Sequence, residues 1–200
     1  MARYTGPKRR LSKREGVALF AKDAKFIERK GAIPPGMRGT KMRRRFSEYG
    51  LQLREKQKAK RLFGLMERQF SNLFKEASRS KGATGKVFLE LLEARLDNVV
   101  YRLGFARSRA GARQMVSHGH VTVDGKRVNI PSYRVKVGSI VAISPKFVDN
   151  TQVKNSIEEN KTLPEWLARK ATVGKVLRIP NREEMEKIIN EQLIVEFYSR

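Results

Sequence analysis

Three arginines fall within seven residues, at Arg107, Arg109 and Arg113, with Ser108 and Gln114 among them and His118 and His120 just beyond. A guanidinium presents planar donors that match two phosphate oxygens at once, which an ammonium cannot do. Ser108 reads as the N-cap of a helix running from Arg109 to about Ser117. At roughly 100° per residue, Arg109 and Arg113 then share one side with Gln114 and Ser117. Gly111, Ala112, Met115 and Val116 fall on the opposite, packing side. Arg107 stands where the helix begins, so the unpaired N–H groups there add to the same anion site. The expectation is an outward arginine fork for a phosphate-bearing polymer.

Other chemistries are weaker. His118 and His120 are the only histidines and the chain holds no cysteine, so a two-histidine metal site lacks further ligands. Hydrogen bonding to a nucleic acid or packing in a hairpin explains them better, and no metal is expected. The stretch "SKGATGKV" carries Ser80 and Val87 where a phosphate loop needs Gly and Ser or Thr. Trp166 and Tyr198 could stack on bases, yet Trp166 beside Leu163 and Leu167 reads as core. No nucleophile–base pair or carboxylate dyad is recognisable, so neither an active site nor a cofactor is expected.

The elements that position this chemistry follow from periodicity. "LEARLDNVVYRLG" sets Leu92, Leu96, Val99, Val100 and Leu103 on one helical stripe, with Gly104 fit for a left-handed ending. Arg95, Asn98 and Arg102 recur on the other side. After the arginine helix the period becomes two. "HVTVDGKRV" alternates and turns at Asp124-Gly125, a strong hairpin signal because a type I′ turn needs positive φ at both central residues. Val121 and Val123 would lie beneath the helix, with His120, Lys126 and Arg127 near its rim. "SYRVKVGSIVAI" reads as two more strands broken at Gly138-Ser139.

Elsewhere, Ser12 and Glu15 form a capping-box pattern, and "AIPPGMRGT" interrupts regular structure. A helical period starts at Ser47, and Met66, Phe70, Leu73, Phe74 and Ala77 make a second apolar face. Thr84 reads as an N-cap. Thr162 and Glu165 mark a short helix over "KTLPEWLARK", Asn181 opens another, and the tail "LIVEFYSR" alternates like a strand or packed extended end. The expected organisation is a basic arm over 1–46, a helical domain over 47–91, a small module over 92–175, and a C-terminal helix and tail over 176–200 returning to the helical domain. The fold class is α+β.

Charge narrows the partner. Net charge is +24, and residues 1–60 carry 19 basic and 5 acidic side chains against 9 and 8 in residues 151–200. Such self-repulsion is most simply tolerated for a polyanion, nucleic acid before an anionic membrane. Arg43, Arg44 and Arg45 in the arm read as further phosphate contacts. No apolar run approaches the roughly 20 residues of a membrane span, and no signal peptide is recognisable, so a cytoplasmic location is expected. A sequence-tolerant DNA binder, or an RNA-modifying enzyme carrying the module as an appendage, is the alternative; the latter needs a further catalytic domain.

Arg95 to Gly138, "RLDNVVYRLGFARSRAGARQMVSHGHVTVDGKRVNIPSYRVKVG", resembles the RNA-binding module named after small-subunit ribosomal protein four. "ARYTGP", "LSKREG", "YGLQLREKQKAKRLFG", "PEWL" and "EFYSR" extend the resemblance to the bacterial ribosomal family of that name over nearly the whole chain. The resemblance implies a mostly helical domain with an inserted module of two helices on a short antiparallel sheet. It implies a structural, non-enzymatic protein that binds small-subunit ribosomal RNA first, nucleates assembly of the subunit body and contributes to translational accuracy. Implied partners are small-subunit ribosomal protein five and messenger RNA where it enters the subunit; some members repress their own messenger. The implied RNA-facing residues are Arg95, Asn98, Arg102, Arg107, Ser108, Arg109, Arg113, Gln114, His118 and His120. Many relatives hold zinc through N-terminal cysteines; Arg9 and Ser12 stand where the first are expected, so this chain resembles the zinc-free branch.

Overall fold

A computed structural model describes residues 4–31, 33–36, 46–159 and 163–199. It is α+β and divides into two units, Met1–Gly85 with Ile188–Arg200, and Lys86–Lys187.

The first unit is helical. It contains α1 (Lys8–Glu15), α2 (Ala21–Lys30), α3 (Glu48–Leu62), α4 (Glu67–Arg79) and, from the far end of the chain, α9 (Glu191–Tyr198). Ser47 caps α3 as its type predicts, accepting from the Gly50 N–H at 3.2 Å. Phe70, Phe74 and Ala77 are buried on the apolar face of α4. The described part of the basic arm forms two helices, α1 and α2. Ser12 is not a cap but sits inside α1, where its hydroxyl donates to Asp23 of α2 at 2.6 Å. Glu15 pairs with Arg61 and, at 3.4 Å, with Arg54 of α3.

The tail corrects a second expectation. "LIVEFY" alternates, yet it forms α9, capped by Asn190 and packed on α3. Ile194 is fully buried, while Phe197 and Tyr198 lie one turn on. There Tyr198 stacks on Phe74 at 4.4 Å and donates to Glu67 at 3.2 Å, and Lys56 lies 4.3 Å over the Phe197 ring.

The second unit places helices on an antiparallel sheet. Its elements are α5 (Thr84–Glu93), whose first turn spans the unit boundary, α6 (Leu96–Arg102), α7 (Arg109–Ser117), β1 (Val121–Val123), β2 (Lys126–Arg127), β3 (Ile140–Ile143), α8 (Thr151–Glu159), β4 (Leu167–Lys170) and β5 (Val173–Val176). The strand order is β2-β1-β3-β5-β4. Val121 and Val123 are buried with Ala112, Met115 and Val116 of α7, so the hairpin does back this helix. Asp124 and Gly125 have φ of 49° and 78°, the pair of positive values the turn requires.

Four local readings fail here. The stripe Leu92–Leu103 is fully buried but is not one helix. Arg95 is extended at φ −67°, ψ 139°, and the Leu96 and Asp97 N–H groups donate to Tyr133 and Pro131 carbonyls. Residues 132–137 are therefore not a strand; they run along this break, touching it through a bridge between Arg95 and Arg134. "WLARK" contributes β4 instead of a helix; Thr162 lies outside the described residues. Asn181 and Glu184 do form a capping box, but around a single 3-10 turn, Arg182–Glu184. β5 and α8 have no counterpart in the sequence reading.

Gly174 shows how closely β5 is packed: a Cβ there would stand 2.5 Å from both methyl carbons of Leu103, itself fully buried. Gly174→Ala should lower unfolding free energy by about 1–3 kcal/mol through overpacking, read from urea midpoints. Gly125→Val meets open space but keeps positive φ, and should cost about 1–2 kcal/mol of strain. A Gly125→Asn variant, better suited to that backbone, should recover most of the loss.

Candidate nucleic-acid interface

Ser108 caps α7 as expected, accepting from the Gly111 N–H at 3.2 Å. The fork that should follow is turned inward. Arg113 is only 7% exposed and lies 3.6 Å from Asp97. Asp97 in turn receives Arg95 through both oxygens, at 3.1 and 3.0 Å. Arg109 is partly buried, lies 4.6 Å over the Tyr101 ring, and pairs with Glu186. The outward placement of Arg109 and Arg113 is thus corrected. Helical spacing puts both on one side of α7, but α6 covers that side, and guanidiniums are buried only against carboxylates.

The same holds for the second set. Arg95 and Asn98 are 3% and 2% exposed, and Arg102 is partly buried. The break before α6 aims them at acids instead of solvent. Asn98 donates to Glu93 Oε2 at 2.5 Å and accepts from Arg109 Nε at 2.8 Å. Arg102 grips Glu93 with two bonds, at 3.1 and 2.7 Å, and reaches Glu186 at 3.1 Å. Glu93, Asn98, Arg109, Glu186 and Arg102 therefore close a ring of polar contacts. Burial alone would raise the Glu186 carboxyl, but Arg109 and Arg102 outweigh it and hold the group below its ordinary range. Burial likewise disfavours the Arg102 cation, and Glu93 and Glu186 more than offset this, so its pKa lies above the usual value.

The remaining predicted residues do come together on the surface. Arg107, Ser108, Gln114, His118 and His120 all line one cleft of about 490 Å³ between α7 and α8. Phe147, Gln152 and Asn155 complete it, and none of its lining residues is acidic. The Arg107 side chain is 60% exposed and reaches Glu159 at the end of α8. His120 lies flat on Phe147, rings 3.9 Å apart and 6° from parallel, with His118 edge-on at 5.8 Å. Desolvation, then the neighbouring His118 and Arg127, lower the His120 pKa below its ordinary value. Arg127 braces this corner by donating to the Gly119 and His118 carbonyls at 3.0 and 3.1 Å. A second cleft, near Arg102 and Arg178, carries Glu165, Glu183 and Glu184 and so disfavours a polyanion. Arg43, Arg44 and Arg45 lie outside the described residues.

Sequence reasoning missed Phe147, Gln152 and Asn155, which lie past the arginine cluster; the signal that could have found α8 is Asn150, whose side chain accepts from the Gln152 N–H at 2.9 Å at the start of the helix. It missed the roles of Glu93 and Glu186 because a carboxylate that closes an ion pair through space leaves no spacing rule in the chain. Asn98 matters to the ring with both ends of its amide. Asn98→Asp sets a second carboxylate beside Glu93, and should lower stability by about 3–5 kcal/mol. Because the Glu186 pKa is depressed, its stabilisation is complete above the unfolded value, about 4.3, and is lost as pH falls through the lower folded value. Thermal midpoints should drop across that acid window, and Glu186→Gln should flatten part of the drop.

Comparison with known proteins agrees with this architecture. The pattern described as "Ribosomal protein S4/S9 N-terminal domain" matches residues 3–93, and that described as "S4 domain" matches residues 94–141. The chain is 54% identical to the small ribosomal subunit protein uS4 of Dictyoglomus turgidum, 53% to that of Chloroflexus aurantiacus and 50% to that of Thermus thermophilus, each over 100% of both chains. A module built on buried arginine–carboxylate pairs, the N-terminal helices matched before it, and full-length identity of half or more together place the chain in the uS4 family of small ribosomal subunit proteins.

Proposed function

We propose that this protein is a structural constituent of the small ribosomal subunit that binds its ribosomal RNA, working on the ribosome in the cytoplasm and without catalysis. The observation that carries the reading is how the charges are divided. Inner arginines are buried against Asp97, Glu93 and Glu186, whereas Arg107, 60% exposed and paired with Glu159 in solvent, lines one cleft with Ser108, Gln114, His118 and His120, and no acid is among the described residues lining it. A folded RNA is met by shape, phosphates and unpaired bases, and such a rim offers cations and amides to each. Arg95, Asn98, Arg102, Arg109 and Arg113 serve the contact by fixing α6 and α7 beneath it. Lys126 and Arg127, both exposed on β2, extend the surface. The basic arm, with Arg43, Arg44 and Arg45, supplies a further phosphate-binding stretch, as its excess of cations suggests.

The family resemblance supports a wider role. In it the protein binds ribosomal RNA early, nucleates the subunit body, contacts small-subunit ribosomal protein five, lies near messenger RNA where it enters the subunit, and influences translational accuracy.

Two measurements test the reading. Tagged protein sedimented from lysate should co-migrate with small subunits through moderate salt; a pool spread along the nucleoid would refute it. With naked small-subunit ribosomal RNA, Arg107→Ala and Lys126→Ala should each lower the slope of log K against log salt by about 0.7–0.9. Both should leave the thermal midpoint within a degree or two, in contrast to Asn98→Asp. Unaltered slopes would move the interface elsewhere.

A further inference from the structure

The cleft between α7 and α8 differs chemically from a phosphate site. Its floor is apolar: Phe105, Met115 and Val153 line it and are buried. Its rim carries three exposed amides, Gln114, Gln152 and Asn155. Its cation, Arg107, is already paired with Glu159. One wall is the parallel stack of His120 on Phe147. The volume, about 490 Å³, falls within the roughly 300–1,000 Å³ of sites that hold small organic groups. Phe147 and all of α8 lie beyond residue 141, outside the segment that matches the S4 domain. One wall of the cleft therefore comes from outside that segment, and the other from within it.

We infer that this cleft receives a single unpaired nucleobase of the bound RNA, stacked against the His120–Phe147 wall and held at its edge by the rim amides. Each element has its counterpart in the ligand. Unpaired bases present π-faces that stack on aromatic rings, and edges that alternate donors and acceptors. A primary amide offers both on one planar group and can meet two edge positions at once, as it does on adenine. A phosphate would use neither the apolar floor nor the amide acceptors. Arg107 and Ser108 stand at the mouth, where the backbone leading to an inserted base must pass. The inference rests on the RNA-binding reading above and adds the occupant of this cleft.

The test uses the full chain and naked small-subunit ribosomal RNA. Zero-length ultraviolet cross-linking, trypsin digestion and mass spectrometry should find nucleotide adducts on the peptides 114–126 and 147–154, at His118, His120 or Phe147. Phe147→Leu, which keeps an apolar packing group, should weaken binding roughly 5- to 100-fold, the range expected from one lost base stack. Gln152→Ala lies on the exposed rim and tests the same cleft without risk to the core; it should weaken binding about fivefold or more. Adducts confined to other peptides overturn the inference, and so does unchanged affinity of both variants. Either result leaves ribosomal RNA binding intact. If the unmodified chain fails to bind the RNA, the broader reading fails and this one with it.

Discussion

A guanidinium cannot be buried unless something neutralises it, and the second unit is organised around that constraint. Arg95, Arg102, Arg109 and Arg113 converge where α6 and α7 pack together, and three carboxylates receive them. Two of those acids, Glu93 and Asp97, flank the break at Arg95. The break is what allows α5 to deliver Glu93 to Asn98 and Arg102, which one uninterrupted helix would not do in this way. Desolvating these ions costs several kcal/mol each; bidentate geometry and shared partners offset it. Once formed, the ring fixes the angle between α6 and α7, and with it the position of the hairpin that packs beneath.

Two populations of arginine result, with different physics. Those in the ring sit in low dielectric and are little affected by salt. Arg107 and the cations of β2 remain in solvent, where attraction for a polyanion is long-ranged and falls as salt rises. Binding should therefore respond to ionic strength over a range in which the fold does not. An excess of 24 positive charges alone would not ensure this, since an unpaired cation inside would weaken the fold and one outside would spread the RNA-binding surface.

What could be read from the chain was whatever is encoded locally. Ser108, Ser47, Asp124-Gly125 and Gly104 act through their own backbone, and each does what its type predicts. The apolar stripes were legible because burial follows period, except at Met66, which precedes α4 as its N-cap residue and is exposed. Failures came where a partner far along the chain decides. "LIVEFY" alternates, but α3 offers a helix-shaped surface, and Ile194 with Tyr198 one turn later satisfies it. "WLARK" carries helix-like signals, yet pairing with β5 makes it a strand. The proposed site shows the same division. Arg107, Ser108, Gln114, His118 and His120 share the cleft and are neighbours in sequence; Phe147 and α8 join them through the topology alone.

This division also explains why residue type misjudged orientation. On an isolated helix Arg109 and Arg113 would face water, because nothing local repays the loss of hydration. In the folded unit Asp97 and Glu186 do so, one from the preceding helix and one from 77 residues downstream of Arg109. Identical side chains on adjacent turns can thus be scaffold or contact, depending on which acids the fold brings near. The exposed cleft is defined as much by the carboxylates absent from its walls as by the cations and amides present. An acid placed there would repel a polyanion, whereas the same acid one layer down holds the helices in register.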